Sequence, residues 1–243
     1  MFRKAVLIAF LSALPLVAVA LQMRRPSTQE IGVATESLPD GHVRLTVLNQ
    51  SNIPITALAA IGTRTRLKDA TRVKSVRFFD SVLNPFGPKD LVQNQSYTFV
   101  FFGPNPPPSE IERDVRLLAA VFADGSSWGD TDWISVLNQR RGWAKRYNSE
   151  ALQLVESANS ESDTREDLIG RIEQLRSAET KAAGSVAERQ MADFSFEEPL
   201  TALREINRAD GQTVPLSESI ALARNRLFVR IEKLSGIDRT QSP

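Results

Sequence analysis

One change of hydrophobic period governs what this chain can fold into. In the first half, apolar residues recur at every second position. In the second half they recur every third or fourth, and the accompanying shift in aromatic, proline and charge content falls near Tyr147. His42–Leu48 sets Val43, Leu45 and Val47 against Arg44 and Thr46, the alternation of a half-buried strand. Ile55–Arg66 and Val73–Phe79 are expected as further strands, and Ser96–Phe102 as one of high β-propensity. Val115–Ala123 reads as a strand with Val115, Leu117, Ala119 and Val121 on one face. Asp124-Gly125 then forms a hairpin turn, and a short return strand carries Trp128. With a strand at Ile31–Ser37, about seven short strands separated by turn clusters predict an antiparallel β-sandwich, immunoglobulin-like in outline.

The second half predicts a helical hairpin or small bundle, which makes the chain α+β. Val136–Ala158 is expected to be a helix that Trp143 and Tyr147 pack back onto the sandwich. Asp163 is expected to cap a helix through Asp163-Thr-Arg-Glu166, with Leu168, Ile169, Ile172 and Leu175 on its buried face. Pro199 suits a helix's first turn and Asp210-Gly211 its stop. The last helix carries Leu216, Ile220, Ala223, Leu227, Ile231 and Leu234 in steps of three and four, with Gly236 as terminator. The expected segments are 1–20 signal peptide, 28–138 sandwich, 139–236 helical domain and 237–243 disordered tail.

The export expectation rests on the start. Arg3 and Lys4 precede a short apolar run, and Ala18-Val-Ala20 ends it with small residues. A membrane anchor retained to Leu21 or Met23 is the alternative. The 243 residues contain no cysteine, which excludes disulfides and thiolate sites, and the single histidine, His42, argues against a histidine-rich metal site or a conventional histidine triad. The net charge of +1 is too small for a nucleic-acid binder. It conceals a net of +4 over residues 21–147 (16 basic, 12 acidic) and −5 over 148–243 (12 basic, 17 acidic). Attraction between the two halves is therefore expected.

No catalytic, cofactor-binding or metal-binding residue is assigned, and no cofactor is expected. The speculative surface contacts are Arg64, Arg66 and Lys68, at alternate positions, and Trp128. Arg72, Lys74 and Arg77 extend the basic stretch, and Arg140, Arg141, Lys145 and Arg146 form another. Either suits phosphate, lipid headgroups or acidic polysaccharide. Asp124, Asp130 and Asp132 offer oxygen ligands for Ca²⁺ or an acid/base pair, against the plainer role of turn formers. Trp128, Trp133 and Trp143 suit a seam between sandwich and helix better than a sugar platform. Asn49-Gln-Ser51 and Asn94-Gln-Ser96 match the glycosylation acceptor pattern. His42, beside Gly41, reads as a turn-edge residue.

Two segments, Asn49-Gln-Ser-Asn-Ile-Pro-Ile-Thr-Ala57 and Val121-Phe-Ala-Asp-Gly-Ser-Ser-Trp-Gly-Asp130, carry a resemblance. Over residues 31–145 the chain resembles uncharacterised exported bacterial proteins. That resemblance implies a β-sandwich and export but no activity and no site residue. The expected function is a non-catalytic exported binding or structural module, secreted or periplasmic, acting through surface contacts of both parts. The alternatives are an envelope glycan hydrolase using paired Asp/Glu, and an assembly or chaperone-like factor working through helices 160–235. The expected partner is a protein or envelope component, not nucleic acid, with membrane contact through a retained anchor. No oligomeric state is assigned.

Overall fold

A computed structural model describes residues 31–84, 89–103, 111–159, 162–205 and 213–240. The expected signal segment, and the helix stop at Asp210-Gly211, lie outside these residues. Among the described residues seven strands precede four helices: β1 (Ile31–Ser37), β2 (Val43–Asn49), β3 (Ile55–Arg66), β4 (Arg72–Asp80), β5 (Ser96–Phe101), β6 (Ile111–Phe122), β7 (Ser127–Gly129), α1 (Thr131–Glu156), α2 (Arg165–Ala182), α3 (Val186–Arg204) and α4 (Leu216–Thr240). The strands form two antiparallel sheets, ordered β1-β2-β5 and β4-β3-β6-β7. The protein is thus α+β, with strands first and helices after. Among the described residues no helix is long and apolar enough to cross a membrane.

The two sheets share a core of Leu45, Val47, Leu58, Phe79, Phe99, Phe101 and Phe122. The outer face of the four-stranded sheet is also covered. Ala57, Ala59, Ile61, Ala119 and Val121 meet Leu137, Trp133 and Ile134 of α1. Small side chains on β3 and β6 let the helix approach closely. Burial on both faces explains why β3 is buried without alternation from Ile55 to Gly62.

Two β-bulges interrupt the pairing of β3 with β6. Ile55 lies opposite Phe122 but Ala57 opposite Val121, which leaves Thr56 as an extra residue. Ala59 lies opposite Ala119 but Ala60 opposite Leu117, which leaves Leu118 extra. The second bulge corrects the expected face of β6. Val115 and Leu117 pack into the core between the sheets, whereas Ala119 and Val121 pack under α1. A single inserted residue exchanges the faces of a period-two pattern.

The helix expected from Val136 begins at Thr131, where the Asp130 carboxylate accepts from the Asp132 and Trp133 amides. It runs across the expected 138/139 division. Leu137 faces the sheet, whereas Ala144, Tyr147, Ala151 and Val155 enter a core shared with Leu168, Phe196, Leu200 and Leu227. Trp143 and Tyr147 therefore do not pack α1 onto the strands, as expected above. Tyr147 meets Phe196 at 5.8 Å between ring centroids, and Trp143 borders the same helical core. Val82 and Leu83, just past β4, also enter that core.

Other helix signals shift. Thr164, not Asp163, caps α2 in a reciprocal box with Asp167, and Asp163 instead pairs with Arg171. Pro199 lies inside α3 rather than in its first turn, because Ser185 caps that helix well upstream. Gly236 does not stop α4, which continues through it to Thr240, four residues into the stretch read as a disordered tail. A helical glycine costs only about 1 kcal/mol, too little to end a helix by itself.

Candidate functional site

The end of β4 joins the sheets to the helices. Asp80 and Arg141 form an ion pair in which each side chain is 5% exposed. Arg141 Nε donates to Asp80 Oδ2 at 2.9 Å, and Nη2 donates to Oδ1 at 3.2 Å. The amides of Val82 and Leu83 also donate to Oδ1, at 3.0 and 3.2 Å. Arg141 Nη2 donates to Thr56 Oγ1 at 2.9 Å, and that hydroxyl donates to the Val121 carbonyl at 3.1 Å. The Thr56 bulge supplies this geometry, since an extra residue re-aims a side chain off the regular ladder. Ser81 Oγ donates to the Thr56 carbonyl and to Asp90. Charge-assisted bonds in so dry a place fix the angle between α1 and β4.

Beside this pair opens a cleft of about 330 Å³. Phe78, Phe79 and Tyr97 line it from the strands, Arg140 from α1, and Gln190, Met191 and Phe194 from α3. β4 is the edge strand of its sheet, so α3 faces it across open space rather than across another strand. The Arg140 guanidinium sits 4.1 Å from the centroid of the Phe78 ring, a cation–π contact. Its Nε is buried without a hydrogen-bond partner among the described residues. Burial lowers the Arg140 pKa, and the attraction of Asp80 partly offsets this. Arginine remains charged after any such shift. Asp80 also lines the cleft, but its hydrogen bonds go to Arg141, so Arg140 feels Asp80 only as a nearby charge and presents a guanidinium that forms no ion pair among the described residues. A smaller cavity of about 190 Å³ shares Asn84 and Phe194 with it. There Arg230 pairs with Glu198 at 2.7 Å, both side chains 5% exposed.

The residues singled out in the sequence do not assemble here. Arg64 and Arg66 sit near the far end of β3, and Lys68 lies in the turn that follows. Arg66 pairs with Asp69 at 3.2 Å. Trp128 lies on β7 opposite Ala120, whereas Arg64 lies opposite Arg113. Seven positions of β6 separate the two, about 23 Å at the usual rise per residue. Of the three tryptophans only Trp133 occupies the strand–helix seam, 6.4 Å from Phe78.

Asp124 accepts from the amide and hydroxyl of Ser126, and Asp130 caps α1, so both serve turns. No group of three metal-ligating side chains occurs among the described residues. His42 contacts Asp40 in a surface turn, and its hydrogen bonds lower the Asp40 pKa. Asn49 is fully buried, its amide nitrogen donating to the carbonyls of Ile53 and Leu91, so it is no glycan acceptor once folded. Asn94 is exposed.

The basic cluster of α1 separates into three roles. Arg140 enters the cleft, and Arg141 holds Asp80. Arg146 faces Glu150, Glu179 and Glu188, at 3.7, 3.5 and 3.3 Å. These pairs lie within the helices and do not join the strands to them. In the sequence these arginines read as one surface patch. The available signal was Arg141's place on the stripe Leu137, Arg141, Ala144, Asn148, Ala151, which is buried throughout.

No family model, no curated protein and no solved structure matches this chain.

Proposed function

We propose that the protein is an exported, non-catalytic binding module whose ligand site is the cleft between β4 and α3. The observation that carries this reading is Arg140, a half-buried cation held against Phe78 with no carboxylate within pairing distance among the described residues. Its volume lies at the lower end of the range typical of small-ligand sites, about 300–1,000 Å³. Aromatic walls with one convergent cation suit an organic carboxylate bearing a phenyl-sized or similar apolar group. Stacking on Phe78 holds the guanidinium in place, so little ordering is needed when the ligand arrives.

We further read the two sheets as an immunoglobulin-like sandwich. The order of three strands against four, with β3 and β6 adjacent and β2 between β1 and β5, supports that reading. The charged, apolar and small-residue sequence of the first twenty residues supports export. The resemblance to exported bacterial proteins belongs to the same proposal.

Calorimetric titration with 3-phenylpropionate, against wild type and Arg140→Met, tests the site. Saturable binding to wild type, weakened at least about tenfold in the variant, is expected from loss of a desolvated charge-assisted contact. Equal binding by both proteins, or none by wild type, refutes the assignment.

A further inference from the structure

The β3–β4 hairpin carries a second, separate surface. β3 is no longer fully buried after Gly62, and the hairpin then runs out into solvent. Residues 64–77 contain six cations, Arg64, Arg66, Lys68, Arg72, Lys74 and Arg77, and one acid, Asp69. That acid is turned into the loop, where it accepts from the Thr71 amide at 3.0 Å and from Arg66 at 3.2 Å. The Arg66 amide donates to the Thr71 carbonyl at 2.9 Å, and Ala70 takes a positive φ of 55°. The loop is therefore a closed turn with a defined outer end.

At that end Leu67 is 61% exposed, and Val73 on the return strand is 49% exposed. Each is flanked by cations, in Arg66-Leu67-Lys68 and Arg72-Val73-Lys74. Cations alone would suit a soluble polyanion. An exposed leucine at the outermost turn, ringed by basic side chains, is what a lipid–water boundary favours: the apolar group enters the headgroup layer and the cations meet phosphates.

We propose that this hairpin tip docks on the surface of an anionic lipid bilayer, with Leu67 as the inserting residue. The contact is peripheral and independent of both the seam cleft and the apolar amino-terminal residues.

Flotation of the full chain with vesicles tests it, using phosphatidylcholine alone and with roughly 30% phosphatidylglycerol added. Binding is expected on the anionic vesicles only, and is expected to fall as salt rises from about 0.1 to 0.5 M. Lys68→Glu with Arg72→Glu should weaken it at least about tenfold. Leu67→Ser, which leaves every charge in place, should weaken it several-fold. All three positions are exposed, and Lys68→Gln with Arg72→Gln replaces the reversal if its thermal midpoint falls. Equal binding to neutral vesicles, unaffected by either charge variant, would assign the contact to the amino-terminal apolar run and overturn the proposal. Full binding by Leu67→Ser would overturn it in favour of a soluble polyanion.

Discussion

Arg141 of α1 grips Asp80 at the end of β4 through two hydrogen bonds, at 2.9 and 3.2 Å, across 61 residues of sequence. Neither side chain is more than 5% exposed. Removing one partner strands the other as a buried charge. Arg141→Ala is therefore expected to lose about 3–5 kcal/mol of stability, read from urea unfolding. Replacing both by apolar residues of similar size, Asp80→Leu with Arg141→Met, is expected to cost much less than Arg141→Ala alone. A double variant as unstable as the single would show that the Thr56 and Val82 contacts, not the pair, hold the seam.

Gly62 and Gly129 are fixed by close approach. A Cβ on Gly62 would lie 2.5 Å from the Phe101 ring and 2.8 Å from that of Phe102. Gly62→Ala is expected to cost about 1–3 kcal/mol by overpacking. At Gly129, with φ of +104°, a Cβ would lie 2.2 Å from the Leu118 carbonyl oxygen, which also accepts from the Asp130 amide at 2.9 Å. Gly129→Ala is thus expected to disturb the bulge and the start of α1 together. Amide exchange should quicken at Asp130–Ile134 in that variant and not in Gly62→Ala.

The cluster around Arg146 gives stability a pH dependence of definite sign. Burial first, and then the neighbouring Glu179 charge, raises the Glu150 pKa above its ordinary 4.5. A raised folded value means that Glu150 favours folding below about pH 4.5 and loses that contribution as pH rises through its folded pKa. Glu150→Gln should therefore be more stable than wild type near neutral pH, the advantage shrinking as pH falls. Asp167 behaves oppositely. Hydrogen bonds from the Thr164 side chain and backbone lower its pKa below 3.8, so its contribution is present above that value and lost on acidification. Thermal midpoints across pH 3–8 for Glu150→Gln and Asp167→Asn check both signs, and parallel curves would contradict them.

How far the sequence leads depends on whether the deciding contact is local. Ile55–Arg66 is legible to the residue because a turn cluster precedes it and its β-branched residues outweigh the single Gly62 within it. The bulges at Thr56 and Leu118 leave no glycine or proline to mark them, so the faces of β6 are misread beyond the second. Asp163 and Thr164 are both good caps, and only the backbone decides between them. Arg140 and Arg141 are neighbours in sequence with opposite environments. What separates them is a 100° step around a helix and a partner on a distant strand. The cleft was illegible for the same reason: its walls come from β4, β5, α1 and α3, which no short pattern links.

Binding of organic carboxylates through Arg140, in the cleft beside Asp80–Arg141, is the proposal on which the functional reading rests. Its most direct measurement is a two-dimensional NMR titration of the isotopically labelled protein with 3-phenylpropionate and, in parallel, with its neutral alcohol 3-phenylpropanol. Saturable shifts are expected, confined to Arg140 Nε–H and the amides of Phe78, Gln190 and Phe194, with the alcohol at least about tenfold weaker for want of a charge-assisted bond. Absence of shifts at these residues, or equal affinity for acid and alcohol, would contradict the proposal.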